Sequence, residues 1–194
     1  MIEDCTAIIL AGGDSRRMGS DKANLMLDGR TLLQRVIATM REIFPHVIVS
    51  VRQPRPEIDL PQVCDESANA GPLAGLASGL GRIITPWAFV VACDMPFIEP
   101  AMVEALGRSR SNHQAVVPVV QGQPQPLAAF YADSCLAALR ESLSRHDTSL
   151  RAVLRMLDVR YVDQSDLLQA DPRLRSFLDM DTPQDVVNAL HGVK

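Results

Sequence analysis

Three short runs of almost uninterrupted apolar residues punctuate the first half of the chain: Cys5–Leu10, His46–Val51 and Trp87–Ala92. Runs this short and this rich in Val and Ile predict strands covered on both faces, as in a parallel sheet. Between them the period changes. Leu32, Leu33, Val36, Ile37, Met40 and Ile43 recur at helical spacing and predict a helix over Thr31–Phe44. Leu73, Leu76, Leu80 and Ile84 predict another over Leu73–Ile84. Leu25–Leu27 reads as a short extended piece before an Asp28-Gly29 turn. Strands alternating with helices are the pattern of a doubly wound, Rossmann-like α/β sheet, mostly parallel, with helices on both faces.

The second half is more mixed. Pro100–Leu106 predicts a helix with proline in its first turn. Ala115–Val120 and Leu127–Tyr131 read as strands around a Gln121-Gly122 turn, and this hairpin-like piece is expected to form a small second lobe completing a cleft. Helices fit Ser134–Ser144 and Ser149–Leu157, and Val159–Val162 reads as a short strand. Thr182, with Pro183 after it and Asp185 three positions on, predicts the capped start of a last helix. No repeat, low-complexity tract or linker divides the chain, so one domain is expected over its 194 residues.

Composition narrows the function. Hydrophobic residues make up 47% and charged residues 22%, an ordinary globular balance. Nineteen Lys and Arg against 23 Asp and Glu give a formal net charge of −4, without the basic surplus of a nucleic-acid binder. No apolar run approaches the roughly 18 residues that span a bilayer, and the chain enters a strand almost at once, so a cytoplasmic protein with no membrane attachment is expected. The cysteines at 5, 64, 93 and 135 form no Cys-x-x-Cys and read as thiols. The four histidines show no metal spacing, and no Gly-x-Ser-x-Gly or triad pattern is present. Arg151, Arg155 and Arg160 read as a solvated helix face.

Open α/β sheets bind ligands at the carboxyl ends of their strands, so those ends carry the chemistry. The first opens onto Gly12-Gly13-Asp14-Ser15-Arg16-Arg17-Met18-Gly19-Ser20-Asp21-Lys22. Glycines for close backbone approach, many amide donors and three cations suit a polyphosphate. The glycines do not fit Gly-x-Gly-x-x-Gly, and Lys22 follows Asp21 rather than Gly, so this is neither the dinucleotide fingerprint nor the Walker loop. The third strand ends at Asp94, a carboxylate placed to hold Mg²⁺ with substrate phosphates, or else a turn residue before Pro96. Asp65 ends another extended segment, as a second site carboxylate or a loop residue. Asp179 and Asp181 read either as a helix entry or as two carboxylates on one side of an extended segment.

Leu10-Ala11-Gly12-Gly13-x-Ser15-x-Arg17-Met18-Gly19-x-Asp21-Lys22 closely resembles the motif of the molybdenum cofactor guanylyltransferases (MobA type), within the nucleotidyltransferase superfamily. The resemblance continues through Leu25, Gly29, Asp65, Gly71-Pro72-Leu73-Ala74-Gly75, Cys93-Asp94-x-Pro96, Gln125-Pro126-Leu127 and Asp181-Thr182-Pro183, over nearly the whole chain. It implies transfer of GMP from MgGTP (with Mn²⁺ able to substitute) to the phosphate of molybdopterin or molybdenum cofactor, releasing pyrophosphate. It implies a nucleotide-binding half over 1–100 and an acceptor-binding half over 101–194. Leu10, Ala11, Gly12 and Gly13 would line the guanine and ribose pocket. Lys22 and Arg17 would hold the triphosphate, and Asp94 would bind the metal. Ser50, Asp65, Gly71, Pro72 and Leu73 would complete the nucleotide site. Gln125, Asp179 and Asp181 stand as candidates for the acceptor or a second metal. Transient contact with molybdoenzymes or other cofactor-biosynthesis proteins is implied as well.

Two departures from the family pattern matter. Family members often carry Asn where this chain has Ser50, and many read Asn-x-Asn-Thr-Pro where it has Asp179-Met180-Asp181-Thr182-Pro183. Carboxylates there would repel an acceptor phosphate unless a cation sits between. The rivals are the cytidylyl counterpart, whose motif resembles Leu-Ala-Ala-Gly, other small-molecule nucleotidyltransferases, and a non-catalytic cofactor carrier. In-line transfer from a nucleotide to an already anionic phosphate needs positioning and charge neutralisation rather than a covalent nucleophile.

Overall fold

The computed structural model describes residues 1–12, 22–64, 71–180, 182, 184 and 185. The central strand β1 (Cys5–Leu10) is buried along its whole length. It pairs in parallel with β4 (His46–Val51) on one side and β6 (Trp87–Ala92) on the other. Alternation along β1 divides the core in two. Ala7 and Ile9 face α1 (Leu32–Ile43) and α3 (Pro100–Gly107), while Ile8 and Leu10 face α2 (Gly71–Leu80), α4 (Leu136–Ser144) and α5 (Leu150–Leu154).

β5 (Gln62–Cys64) continues the sheet in parallel beyond β4. On the opposite side the direction reverses. β9 (Ala128–Ala132) runs antiparallel to both β6 and β7 (Ala115–Val120), and β10 (Val159–Asp163) closes the edge parallel to β7. The order is β10-β7-β9-β6-β1-β4-β5, with β8 (Gln123–Pro124) hairpinned onto β7. The segment expected to complete the cleft after residue 114 therefore does so by extending the same sheet. The Gln121-Gly122 turn joins β7 to β8, and both turn residues have positive φ.

Local rules account for most boundaries. Thr31 caps α1 in a reciprocal box: Gln34 N donates to Thr31 Oγ1 at 3.1 Å, and Thr31 N donates to Gln34 Oε1 at 2.9 Å. β2 (Met26–Leu27) and β3 (Arg30–Thr31) form a tight hairpin before it. α2 differs from its predicted span. It starts two residues early, at Gly71, and stops at Leu80. Ile84, expected on its apolar face, is 85% exposed in the Pro86-containing connection to β6. Thr182 and Asp185 make the expected reciprocal cap, with Asp185 N donating to Thr182 Oγ1 at 3.1 Å and Thr182 N donating to Asp185 Oδ2 at 2.7 Å. Among the described residues no helix is long and apolar enough to cross a membrane.

Candidate active site

The carboxyl ends of the central strands are laced together beyond the regular ladder. Ala11 N donates to Ser50 O at 2.8 Å, Cys93 N to Leu10 O at 3.1 Å and Ala92 N to Leu127 O at 3.2 Å. These bonds set the residues after β4, β1, β6 and before β9 side by side. They floor a cavity of about 590 Å³.

One wall is the end of β1, with Leu10, Ala11 and Gly12, joined by Lys22. Lys22 opens a 3-10 turn, Lys22–Asn24, closed by Leu25 N donating to Lys22 O at 3.0 Å. Next to it the end of β6 supplies Ala92, Cys93, Asp94 and Met95. Lys22 Nζ donates to Asp94 Oδ2 at 3.3 Å. Their side chains are 31% and 17% exposed, so both are shielded by protein yet reachable from the cavity.

On the β4 side stand Ser50 and Arg52, and above them the first turn of α2 with Gly71, Pro72 and Gly75. Gly71 has φ +58°, a conformation that side chains disfavour, which accounts for glycine at the residue entering this helix. On the β9 side lie Pro124, Gln125, Pro126 and Leu127. That loop is anchored by Gln125 N donating to Pro118 O at 2.8 Å and by the Tyr131 hydroxyl donating to Pro126 O at 2.9 Å. Burial pushes the Tyr131 phenol well above its ordinary value, so it keeps the proton that this bond uses.

Asp179 reaches the same cavity from the C-terminal segment. Met180 N donates to Asp94 O at 2.9 Å and the Met180 side chain is buried against Leu27 and Leu32. Asp179 and Asp94, distant in sequence, are thereby tied to one rim.

Of the residues expected from sequence, Leu10, Ala11, Gly12, Lys22, Ser50, Gly71, Pro72, Asp94, Gln125 and Asp179 line the cavity together. Leu73 does not. It is fully buried in the core between α2 and the sheet, because the helix begins at Gly71 and turns its third residue inward. Gly13, Arg17, Asp65 and Asp181 lie outside the described residues. Sequence reasoning missed Arg52 and Arg151 as cavity residues. Arg52 follows a buried strand directly, and the strand-end argument applied to β4 would have found it. Arg151 is exposed, as expected of a solvated face, and from the first turn of α5 it also borders the cavity. Nothing in its local pattern announces this, because the placement depends on how α5 packs.

The chemistry of this wall suits a nucleotide and a cation. Gly-rich backbone, a lysine and a carboxylate meet at the sheet's carboxyl edge. A family model described as a MobA-like NTP transferase domain matches residues 7–164. The chain belongs to the MobA-like NTP transferase family. It is 38% identical to the probable molybdenum cofactor guanylyltransferase of Chloroflexus aggregans, over 93% of this chain and 91% of that one. It is 33% identical to the molybdenum cofactor guanylyltransferase of Desulfosudis oleivorans, over 97% and 96%. The crystal structure of molybdopterin-guanine dinucleotide biosynthesis protein A from Archaeoglobus fulgidus superposes with a TM-score of 0.84 at 26% identity, covering 95% and 96%. A cytidylyltransferase from Thermus thermophilus, at TM-score 0.70 and 18% identity, shares the fold.

A MobA-like transferase is an enzyme that works with a divalent metal. The donor set here fits such an ion. Mg²⁺ takes one or two carboxylates and completes its shell with substrate phosphates and water. Asp94 and Asp179 are carboxylates on the rim of one cavity. Among the described residues no group of three or more His, Cys, Asp and Glu converges.

Proposed function

We propose that this MobA-like transferase moves GMP from MgGTP to the terminal phosphate of molybdopterin, or of its molybdenum-loaded form. An acceptor phosphate oxygen bonds to the α-phosphorus, the bond from that phosphorus to the bridging oxygen breaks, and pyrophosphate leaves. The products are the guanine dinucleotide cofactor and pyrophosphate. The observation that carries this reading is the Lys22–Asp94 pair at the mouth of a cavity built from the family's motif residues.

Residues 1–100 serve the nucleotide. Leu10, Ala11 and Gly12 meet the base and ribose through backbone groups, and glycine at 12 leaves room for a two-ring base. Ser50, Gly71 and Pro72 enclose it. Lys22, with Arg17, neutralises the triphosphate. Asp94 would hold Mg²⁺, with Mn²⁺ able to substitute. The metal would supply electrostatic stabilisation of charge developing on the phosphates. Gly13 and Asp65 complete the nucleotide site.

Residues 101–194 serve the acceptor. Gln125 and its prolines offer a surface for the pterin. Asp179 and Asp181 would serve the acceptor or assist the metal, and Arg151 would supply a cation that offsets their repulsion of an acceptor phosphate. The acceptor is already ionised at neutral pH, so positioning and charge neutralisation carry the rate. We place the enzyme in the cytoplasm, handing product to molybdoenzymes by transient contact.

The named relatives favour this reading over the cytidylyl one. A cofactor carrier would have no use for a lysine–carboxylate pair in a nucleotide cavity. Pyrophosphate release measured with GTP and with CTP, each with and without molybdopterin, tests the proposal. Release is expected only with GTP and acceptor together. Release with CTP instead would transfer the chain to the cytidylyl class, and none with either would favour a carrier.

A further inference from the structure

We propose that Arg52 reads the base: its guanidinium donates to O6 and N7 of guanine and so separates guanine from adenine nucleotides. The inference deepens the reading above and rests on it for the direction in which the nucleotide lies.

The argument starts from the order of strand ends. β9, β6, β1 and β4 stand in a row, laced by the bonds Ala92 N to Leu127 O, Cys93 N to Leu10 O and Ala11 N to Ser50 O. Adjacent strands are about 4.8 Å apart, so the row has the length of an extended nucleotide. Lys22, in its 3-10 turn, and Asp94, just beyond the end of β6, mark the phosphates. Gln125–Leu127 directly precede β9 and so lie on its side, and Arg151 borders the same cavity from α5. In a nucleotide the α-phosphate separates the base from the attacking acceptor. With the acceptor on the β9 side, the base points toward β4 and the first turn of α2.

The described lining there is mostly neutral. It offers Leu10, the backbone of Gly12, Ser50, and the small residues Gly71 and Pro72. Arg52 is the charged side chain on this side among the described lining residues. It follows the buried strand end Val51, so its backbone is fixed by the sheet while its side chain is exposed toward solvent and cavity. A guanidinium is a planar fork of donors. Guanine presents O6 and N7 as two adjacent acceptors, which such a fork meets with two parallel bonds. Adenine presents N7 beside an N6 amine, so one arm of the fork would face another donor. A single-ring base set on the same ribose extends less far toward β4.

The test reads binding rather than transfer, so its failure is distinguishable from failure of the acceptor reading. Calorimetric Kd values would be taken for GTP, ITP and ATP with the full chain, Arg52→Ala and Arg52→Lys. Hypoxanthine keeps O6 and N7 but lacks the 2-amino group. Arg52→Ala is expected to weaken GTP and ITP alike, by about ten- to a hundredfold, and to leave ATP nearly unchanged. Arg52→Lys keeps the charge without the fork and is expected to recover only a small part. Equal loss for all three nucleotides would assign Arg52 to phosphate attraction or to structure and overturn the proposal. So would full recovery by lysine, no loss at all, or a parent protein that binds ATP as tightly as GTP.

Discussion

Lys22 Nζ lies 3.3 Å from Asp94 Oδ2, pairing positions 72 residues apart, one opening a 3-10 turn and the other just beyond the end of β6. The pair is partly open to the cavity, where ion pairs add about 0–1 kcal/mol to stability. Its value is therefore expected in turnover rather than in folding. Asp94→Asn should melt near the parent temperature yet lose at least about a hundredfold in kcat, the scale of losing a main electrostatic stabiliser. Lys22→Ala should lower kcat/KM for GTP by roughly ten- to a hundredfold, since a charge-assisted hydrogen bond is worth about 1.5–3 kcal/mol. Steady-state kinetics beside a thermal melt checks both. Near-normal turnover in folded Asp94→Asn contradicts the assignment.

The cavity's helix rests on the sheet through a glycine. A Cβ at Gly79 would stand 2.7 Å from Ile8 Cγ2 and 2.9 Å from Ile8 Cδ1. Ile8 is fully buried in mid-strand, so its branched side chain has little room to yield. Overpacking of this kind costs about 1–3 kcal/mol, against about 1 kcal/mol gained by replacing a helical glycine with alanine. Gly79→Ala should therefore lower Tm by a few degrees. Ile8→Val removes one of the two offending atoms and should cost less in the Gly79→Ala background than in the parent. Additive effects in that double-mutant cycle would show that α2 shifts freely.

A buried carboxylate organises the strap that carries Asp179. Asp171 is 2% exposed and accepts from Arg175 N at 3.1 Å and from Ser176 N at 2.8 Å. Ser176 Oγ in turn accepts from Glu99 N at 3.0 Å, and the Arg175 guanidinium sits 4.3 Å from the Phe97 ring centroid. Asp171→Ala leaves a buried amide unpaired and should cost about 1–3 kcal/mol. It should also raise KM for the acceptor several-fold with KM for GTP unchanged. A rise in the GTP value alone would place the strap on the nucleotide side.

Alkaline stability follows from a thiol. Burial, partly offset by hydrogen bonding, pushes Cys135 from 9.0 up to about 12. Its Sγ donates to Gln114 O at 3.1 Å, a bond that exists only while the thiol keeps its proton. A raised folded value favours the protonated form in the native state. The contribution is therefore complete below pH 9 and is lost as pH rises from 9 toward 12, by about 1.4 kcal/mol per unit. Denaturant melts across this range should show Cys135→Ala with a shallower decline than the parent. Parallel declines would mean that this thiol does not contribute to the alkaline transition.

Periodicity was enough to place β1, β4, β6 and α1, because each is buried or capped by its own residues. It overran α2, since Ile84 continues the helical spacing while Gly81 and Pro86 end the helix. It could not reveal that β9 runs antiparallel between β6 and β7, which is decided by contacts far apart in sequence. The site was legible where chemistry sits directly at a strand end, as with Gly12 and Asp94. Arg151 was not, because a helix on the opposite side of the chain's midpoint is brought to the cavity only by tertiary packing. Leu73 shows the converse, a motif residue whose side chain serves the core.

The central claim is guanylyl transfer, and the most direct measurement is the identity of the product. Purified protein incubated with MgGTP and molybdopterin should yield a species whose mass equals molybdopterin plus GMP less water, with one pyrophosphate released per product. Asp94→Asn should yield at most about a hundredth as much in the same time. A cytosine dinucleotide formed in preference from CTP, or GTP consumed with no nucleotide joined to the pterin, would contradict the account.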